Sequence, residues 1–143
     1  MKLNILSKSK ENTQGIASNL AKSLEVGKII AFRGNLGSGK TTFIQGLAQG
    51  LNINTRISSP TFVIFKKYKV LNHKKIKWFY HFDLYRINSL EEIIDLGFEE
   101  IINNKNSLIA IEWAEKIKEL LPQDSLNIKI KFINKNYRKI VIS

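Results

Sequence analysis

Residues 34–41 read GNLGSGKT, and no other string in the chain restricts its fold as strongly. The pattern G-x-x-x-x-G-K-[ST] is met by Gly34, Gly39, Lys40 and Thr41. Such a loop turns successive backbone N–H groups onto phosphate oxygens, and glycine permits the close approach and unusual dihedral angles that this needs. Lys40 is expected to place its charge on the β- and γ-phosphates, and the Thr41 hydroxyl is a hard oxygen ligand suited to Mg²⁺. With glycine at about 7% of average residues, a chance match in a chain this long has odds of roughly 1%. The motif also requires a strand before it and a helix after it. Lys28–Arg33 (KIIAFR) is a short apolar run bounded by glycines, as in a strand covered on both faces. A helix is predicted from Lys40 to about Leu51, adding its free N–H groups and positive dipole end to the anion site. Thr42 is open between a second phosphate contact and a helix-surface threonine. ATP is the expected ligand.

The remaining pattern is that of an α/β chain. Leu3–Leu6 reads as a strand, and apolar residues at Ile16, Ala17, Leu20, Ala21 and Leu24 give a helix beginning near Thr13 and ending before Gly27. Residues 52–61 read as loop, with Pro60 holding Ser59 out of helical geometry. Val63–Val70 and Ile76–Phe82 are predicted strands around an Asn72–Lys75 turn. Ser89-Leu90-Glu91-Glu92 is a capping box opening a helix, with Gly97 as its stop. Ser107–Glu112 is a buried-type strand, Ala114–Leu121 a helix halted by Pro122, and the alternation from Leu126 to Ile142 a closing hairpin. The expected architecture is one P-loop-type domain over residues 1–143, a mixed central sheet flanked by helices.

Composition limits the alternatives. The chain has 143 residues, 43% hydrophobic, with no cysteine, so neither a disulfide framework nor a thiolate metal site is available. No run approaches the roughly 18 apolar residues of a membrane span, and the N-terminus turns polar after Leu6, too early for a signal-peptide core. These features predict a soluble cytoplasmic protein with no membrane partner. The net charge of +11 invites a nucleic-acid partner. The excess is almost all lysine, however, and Lys, Asn and Ile share AT-rich codons, so base composition alone can produce it. The densest basic stretch, 66–77, is open between a solvated hairpin tip and a contact to RNA or an acidic partner.

A P-loop enzyme needs a carboxylate near its metal, at the C-terminal end of a strand. Asp83, ending WFYHFD, and Glu112, ending LIAIE, both fit; each could equally be a surface acid. His81 shares a strand face with Asp83 and reads as a core or hydrogen-bonding histidine before a metal ligand. Trp113 is open between core and pocket wall. Thr61, in SSPTF, is open between a switch threonine sensing the γ-phosphate and an ordinary loop residue.

GNLGSGKTTF at 34–43, SPTF at 59–62, HFDLYR at 81–86 and IEW at 111–113, in that order, resemble the bacterial TsaE (YjeE) family over almost the whole chain. The resemblance includes Thr13 before the first helix and Arg138 in the last hairpin. It implies an ATPase that binds TsaB and TsaD and supports their turnover in making threonylcarbamoyladenosine at position 37 of tRNAs reading ANN codons. The transfer itself belongs to TsaD, and tRNA is met only through that complex; DNA is not a partner. By the same resemblance, Gly34 and Leu36–Thr42 hold ATP, and Thr41 and Glu112 coordinate Mg²⁺. Asp83 is the acid needed for hydrolysis, Lys40 and Thr61 assist it, and Thr13, Asn136 and Arg138 lie by the nucleotide. Two departures fall on the adenine side: Lys10 replaces an acid frequent in relatives, and Asn136 and Tyr137 stand where relatives often have glycine before the arginine.

Rival classes are weaker. A small-molecule kinase needs an arginine-rich lid, and only Arg33, Arg56, Arg86 and Arg138 exist. A GTPase needs NKxD, and the nearest string, Asn104-Lys105-Asn106-Ser107, lacks the aspartate. An RNA-binding module is suggested by charge alone.

Overall fold

The computed structural model describes residues 2–59 and 63–143. In chain order it contains β1 (Leu3–Ser7), α1 (Lys10–Ser23), β2 (Ile29–Arg33), α2 (Lys40–Gly50), β3 (Phe65–Lys69) and β4 (Trp78–Asp83). These are followed by α3 (Leu90–Asp95), α4 (Phe98–Ile102), β5 (Ser107–Glu112), a 3₁₀ segment (Ala114–Leu120), β6 (Leu126–Phe132) and β7 (Arg138–Ile142). The seven strands make one sheet in the order β1-β7-β6-β2-β5-β4-β3. The mixed α/β architecture expected from sequence is therefore present.

The four central strands, β6, β2, β5 and β4, run parallel, and the outer pairings are antiparallel. All of β5, and all of β2 except Arg33, is buried, which is why these segments read as continuous apolar runs. One sheet face packs on α1 and α2 through Ile30, Phe32, Phe79, Leu108 and Ala110. The other packs on α3, α4 and the 3₁₀ segment through Ala31, Phe82, Ile109 and Ile111. Strand alternation then puts His81, Asp83 and Glu112 on the α2 side. Register sets Glu112 opposite both Asp83 and Phe32, so both acids reach the strand ends level with the loop leading to α2.

The two helices on that face approach closely because of glycine. A Cβ at Gly46 would lie 2.5 Å from the Gln14 carbonyl oxygen and 2.7 Å from the Ala17 Cβ. Gly46→Ala gains about 1 kcal/mol of helix propensity, but overpacking costs about 1–3 kcal/mol, and the nearest obstacle is backbone that cannot rotate away. A net loss of up to about 2 kcal/mol is expected, read as a lower urea midpoint at unchanged slope. An increase in midpoint would show that the helices can part freely.

Several boundaries differ from expectation. α1 starts one turn early, at Lys10, because the Ser9 hydroxyl accepts the Asn12 N–H at 2.9 Å. The β3–β4 turn is longer than predicted, since His73 Nδ1 accepts the N–H groups of Lys75 and Ile76 at 3.1 and 2.9 Å. β3 accordingly ends at Lys69 and β4 begins at Trp78, while β3 itself starts at Phe65. Gly97, at φ 82°, stops α3 but opens α4. Ser89 makes no side-chain cap; the Glu92 carboxylate accepts the Asn88 N–H at 3.4 Å instead. Ala114–Leu120 is a 3₁₀ segment interrupted at Ile117, not an α-helix. The last two strands form the expected hairpin, paired antiparallel, and it is built into the sheet: β6 joins β2 in parallel and β7 carries β1.

Candidate nucleotide-binding site

The loop 34–39 leaves β2 and enters α2 through two glycines with positive φ, Gly34 at 152° and Gly39 at 112°. A Cβ at Gly34 would meet the Ile130 carbonyl oxygen at 2.5 Å and the Ser38 hydroxyl at 2.6 Å, so only glycine fits where the loop crosses β6. Gly39 is the N-cap of α2 and brings no capping side chain, and the first turn carries no acid. Ahead of the first intrahelical bond, from the Phe43 N–H to the Gly39 carbonyl, the N–H groups of Lys40, Thr41 and Thr42 have no helical acceptor. The buried Ser38 hydroxyl also has no partner among the described residues. Arg138 braces the loop from β7: its Nε donates to the Ser38 carbonyl at 2.8 Å, and a terminal nitrogen donates to the Asn134 carbonyl at 2.7 Å.

Lys40 is 4% exposed. Its ammonium donates to the carbonyls of Gly34 and Asn35 at 2.5 and 3.0 Å and stands 4.2 Å from the Trp113 ring centre. Desolvation lowers its pKa from the ordinary lysine value, opposed by the charges of Glu112, Glu115 and Asp83. Trp113 adopts φ 61° as the chain turns from β5 into the 3₁₀ segment, and its ring packs on Tyr85 at 5.1 Å. It is thus pocket wall as well as core edge.

The acids stand opposite. The Thr41 hydroxyl donates to the Glu112 carboxylate, 3.1 and 3.2 Å from its two oxygens. His81 Nε2 lies 2.6 Å from Glu112 Oε2. Asp83 accepts the Tyr85 N–H at 3.1 Å on Oδ1 and the Ser59 hydroxyl on Oδ2. Among the described residues, no group of three or more His, Cys, Asp or Glu side chains gathers as a metal cage. Mg²⁺ carried by a nucleotide takes one or two protein ligands and completes its shell with phosphate and water. A hydroxyl already facing a carboxylate at a helix N-terminus is such a donor pair, and the residues present fit the ion.

A cavity of about 770 Å³ joins these parts, lined by Leu36–Thr42, Asp83, Glu112, Trp113 and Arg138. Thr13 and Asn136 line a second cavity of about 250 Å³, which shares Gly39, Thr42 and Arg138 with the first. The buried Thr13 hydroxyl is 2.5 Å from that of Ser7. Gly34 lines neither cavity and acts through loop shape. Thr61 lies outside the described residues. Ser59, Tyr85 and Arg86 also line the large cavity; from sequence they stood within the SPTF and HFDLYR strings without an individual site role. Only the i, i+2 spacing of His81 and Asp83 hinted at neighbours here, because the 85–87 turn is set by tertiary bonds from the Lys116 ammonium to the Tyr85 and Ile87 carbonyls.

The basic hairpin has local structural uses: His73 organises its turn, and the Lys67 ammonium lies 3.9 Å from the Trp78 ring centre. Among the described residues, no helix is long and apolar enough to cross a membrane.

Comparison with known proteins agrees with this arrangement. Residues 7–140 match the family described as threonylcarbamoyl adenosine biosynthesis protein TsaE. A Rickettsia felis protein named tRNA threonylcarbamoyladenosine biosynthesis protein TsaE is 40% identical over 131 residues, covering 91% of this chain and 73% of the relative. Its namesake in Bacillus subtilis is 38% identical over 133 residues, covering 93% and 80%. The Treponema pallidum namesake is 33% identical over 138 residues, covering 96% and 98%. The crystal structure of Bacillus subtilis YdiB superposes with a TM-score of 0.79 at 34% identity, covering 99% of this chain and 84% of that one. With its match spanning nearly every element from the end of β1 into β7, the chain belongs to the TsaE family.

Proposed function

We propose that this chain is a Mg²⁺-dependent ATPase acting in the cytoplasm with TsaB and TsaD in threonylcarbamoyladenosine modification of tRNA. The observation that carries the reading is the Thr41–Glu112 contact at 3.1 Å, set at a helix N-terminus whose free N–H groups face the same cavity. Those N–H groups bind phosphate oxygens, and Lys40 turns from its carbonyl acceptors toward the β- and γ-phosphates. Thr41 and Glu112 would hold Mg²⁺, which when bound neutralises charge on the phosphates. Asp83, anchored by Ser59 and the Tyr85 N–H, orients the attacking water. Arg138 keeps the loop closed behind the phosphates, and Thr13 and Asn136 lie on the base side. Only protein groups that position water and stabilise charge are needed, because phosphoryl transfer asks little covalent chemistry of the enzyme.

ATP serves here as a signal. Ser59, whose hydroxyl donates to Asp83, shares the SPTF string with Thr61, and that threonine is the candidate sensor for gain or loss of the γ-phosphate. Slow hydrolysis by the protein alone, faster with TsaB–TsaD, is expected. Affinity for TsaB–TsaD should be at least tenfold higher with ATP than with ADP, about 1.4 kcal/mol. Thr61→Ala should shrink that ratio while retaining ATP. Equal affinity in ATP, ADP and no nucleotide would reject the switch; failure to bind ATP at all would reject the ATPase.

A further inference from the structure

His81 is wholly buried on the sheet face that packs against α2, in a layer otherwise built from Phe79, Leu108 and Ala110. Its Nε2 has one partner, Glu112 Oε2 at 2.6 Å. Its Nδ1 is buried and has none among the described residues. A ring with one nitrogen left without a partner is a poor choice for packing, since an apolar ring such as the neighbouring Phe79 or Phe82 carries no desolvation cost there. What the imidazole adds is the bond to Glu112.

That bond restricts a carboxylate with alternatives. Glu112 is 4% exposed, and Thr41 lies within reach of both its oxygens. A glutamate side chain has considerable rotamer entropy to lose on ordering. With Oε2 pinned from within the sheet, the carboxylate is fixed by the core, and Oε1 is left to face Thr41 and the cavity.

We propose that His81 is a positioning residue for the cation: its Nε2–H holds Glu112 so that Thr41 and Glu112 form a pre-set pair of Mg²⁺ donors. This rests on the Mg²⁺–nucleotide reading above. Partners that orient metal ligands typically change metal affinity 10- to 100-fold when removed.

The test compares His81→Phe and His81→Leu, which fill the space without a donor, with His81→Gln, whose amide can donate to Glu112. ATP affinity is measured by calorimetry in EDTA and in Mg²⁺, and Mn²⁺ affinity of the ATP complex by electron paramagnetic resonance. The apolar variants should match the parent in EDTA, lose at least tenfold in Mn²⁺ affinity, and lose most of the Mg²⁺-dependent gain in ATP affinity. His81→Gln should recover most of both. Either apolar variant suffices if the other does not fold. Parent-like cation coupling in a folded apolar variant overturns the proposal, as does a Gln variant no better than the apolar ones. A parent that binds ATP identically with and without Mg²⁺ overturns the metal reading itself, a result visible before any variant is made.

Discussion

Lys40→Ala should lower ATP affinity by on the order of 2–5 kcal/mol, the usual cost of removing one partner of a buried charged contact. The structure explains why the effect is large. The ammonium is almost fully buried, and in the cavity it meets two neutral carbonyls and an aromatic face. Exchanging those carbonyls for phosphate oxygens gives a desolvated cation a full counter-charge, opposing the burial that lowers its pKa. Alanine leaves the phosphates the backbone N–H groups, the Mg²⁺ carried with ATP and the helix dipole, the last worth well under the lost ion contact. Calorimetry with Mg²⁺–ATP on the folded variant measures the loss. An unchanged affinity would remove phosphate binding from this loop.

Asp83→Asn should retain ATP affinity within a few-fold and slow hydrolysis by about 100-fold or more, at the lower end of what a positioned acid–base group contributes. The substitution is mild structurally. An asparagine oxygen can still accept the Tyr85 N–H, and the Ser59 hydroxyl can reverse to accept from the new amide. What disappears is the negative charge beside the attacking water. Glu112→Ala should behave differently, weakening Mg²⁺-dependent binding before any chemistry, because Thr41 would lose its carboxylate partner. Titration and single-turnover hydrolysis on both variants separate the roles, and the opposite pattern would exchange the two assignments.

The contrast between these acids shows where sequence reasoning reached. Both were found because a carboxylate closing an apolar run must emerge at a strand end, a local inference. That Asp83 and Glu112 face each other depends on β4 pairing with β5, two segments separated by α3 and α4. The role of His81 was hidden for the same reason: alternation places it beside Asp83, but its bond goes across the sheet to Glu112. Ser59 and Lys116 were missed because their contacts cross the fold. The helix expected at Ala114–Leu121 is a 3₁₀ segment over Ala114–Leu120, since Trp113 enters it at φ 61° and Ile117 breaks it, neither of which apolar spacing can show.

Residues 34–41 by themselves determined the strand–loop–helix unit and pointed to the proposed phosphate site, because glycine dihedrals, one lysine and one hydroxyl act within eight consecutive residues. Together with the later motifs, the same string was enough to identify the family. The resemblance had already paired Glu112 with Thr41; the tertiary structure alone decided that the two touch directly, which histidine steadies the acid, and which arginine braces the loop. Those bonds join residues 31 to 100 positions apart. Only sheet order and register bring them within hydrogen-bond reach, and local spacing carries no record of either.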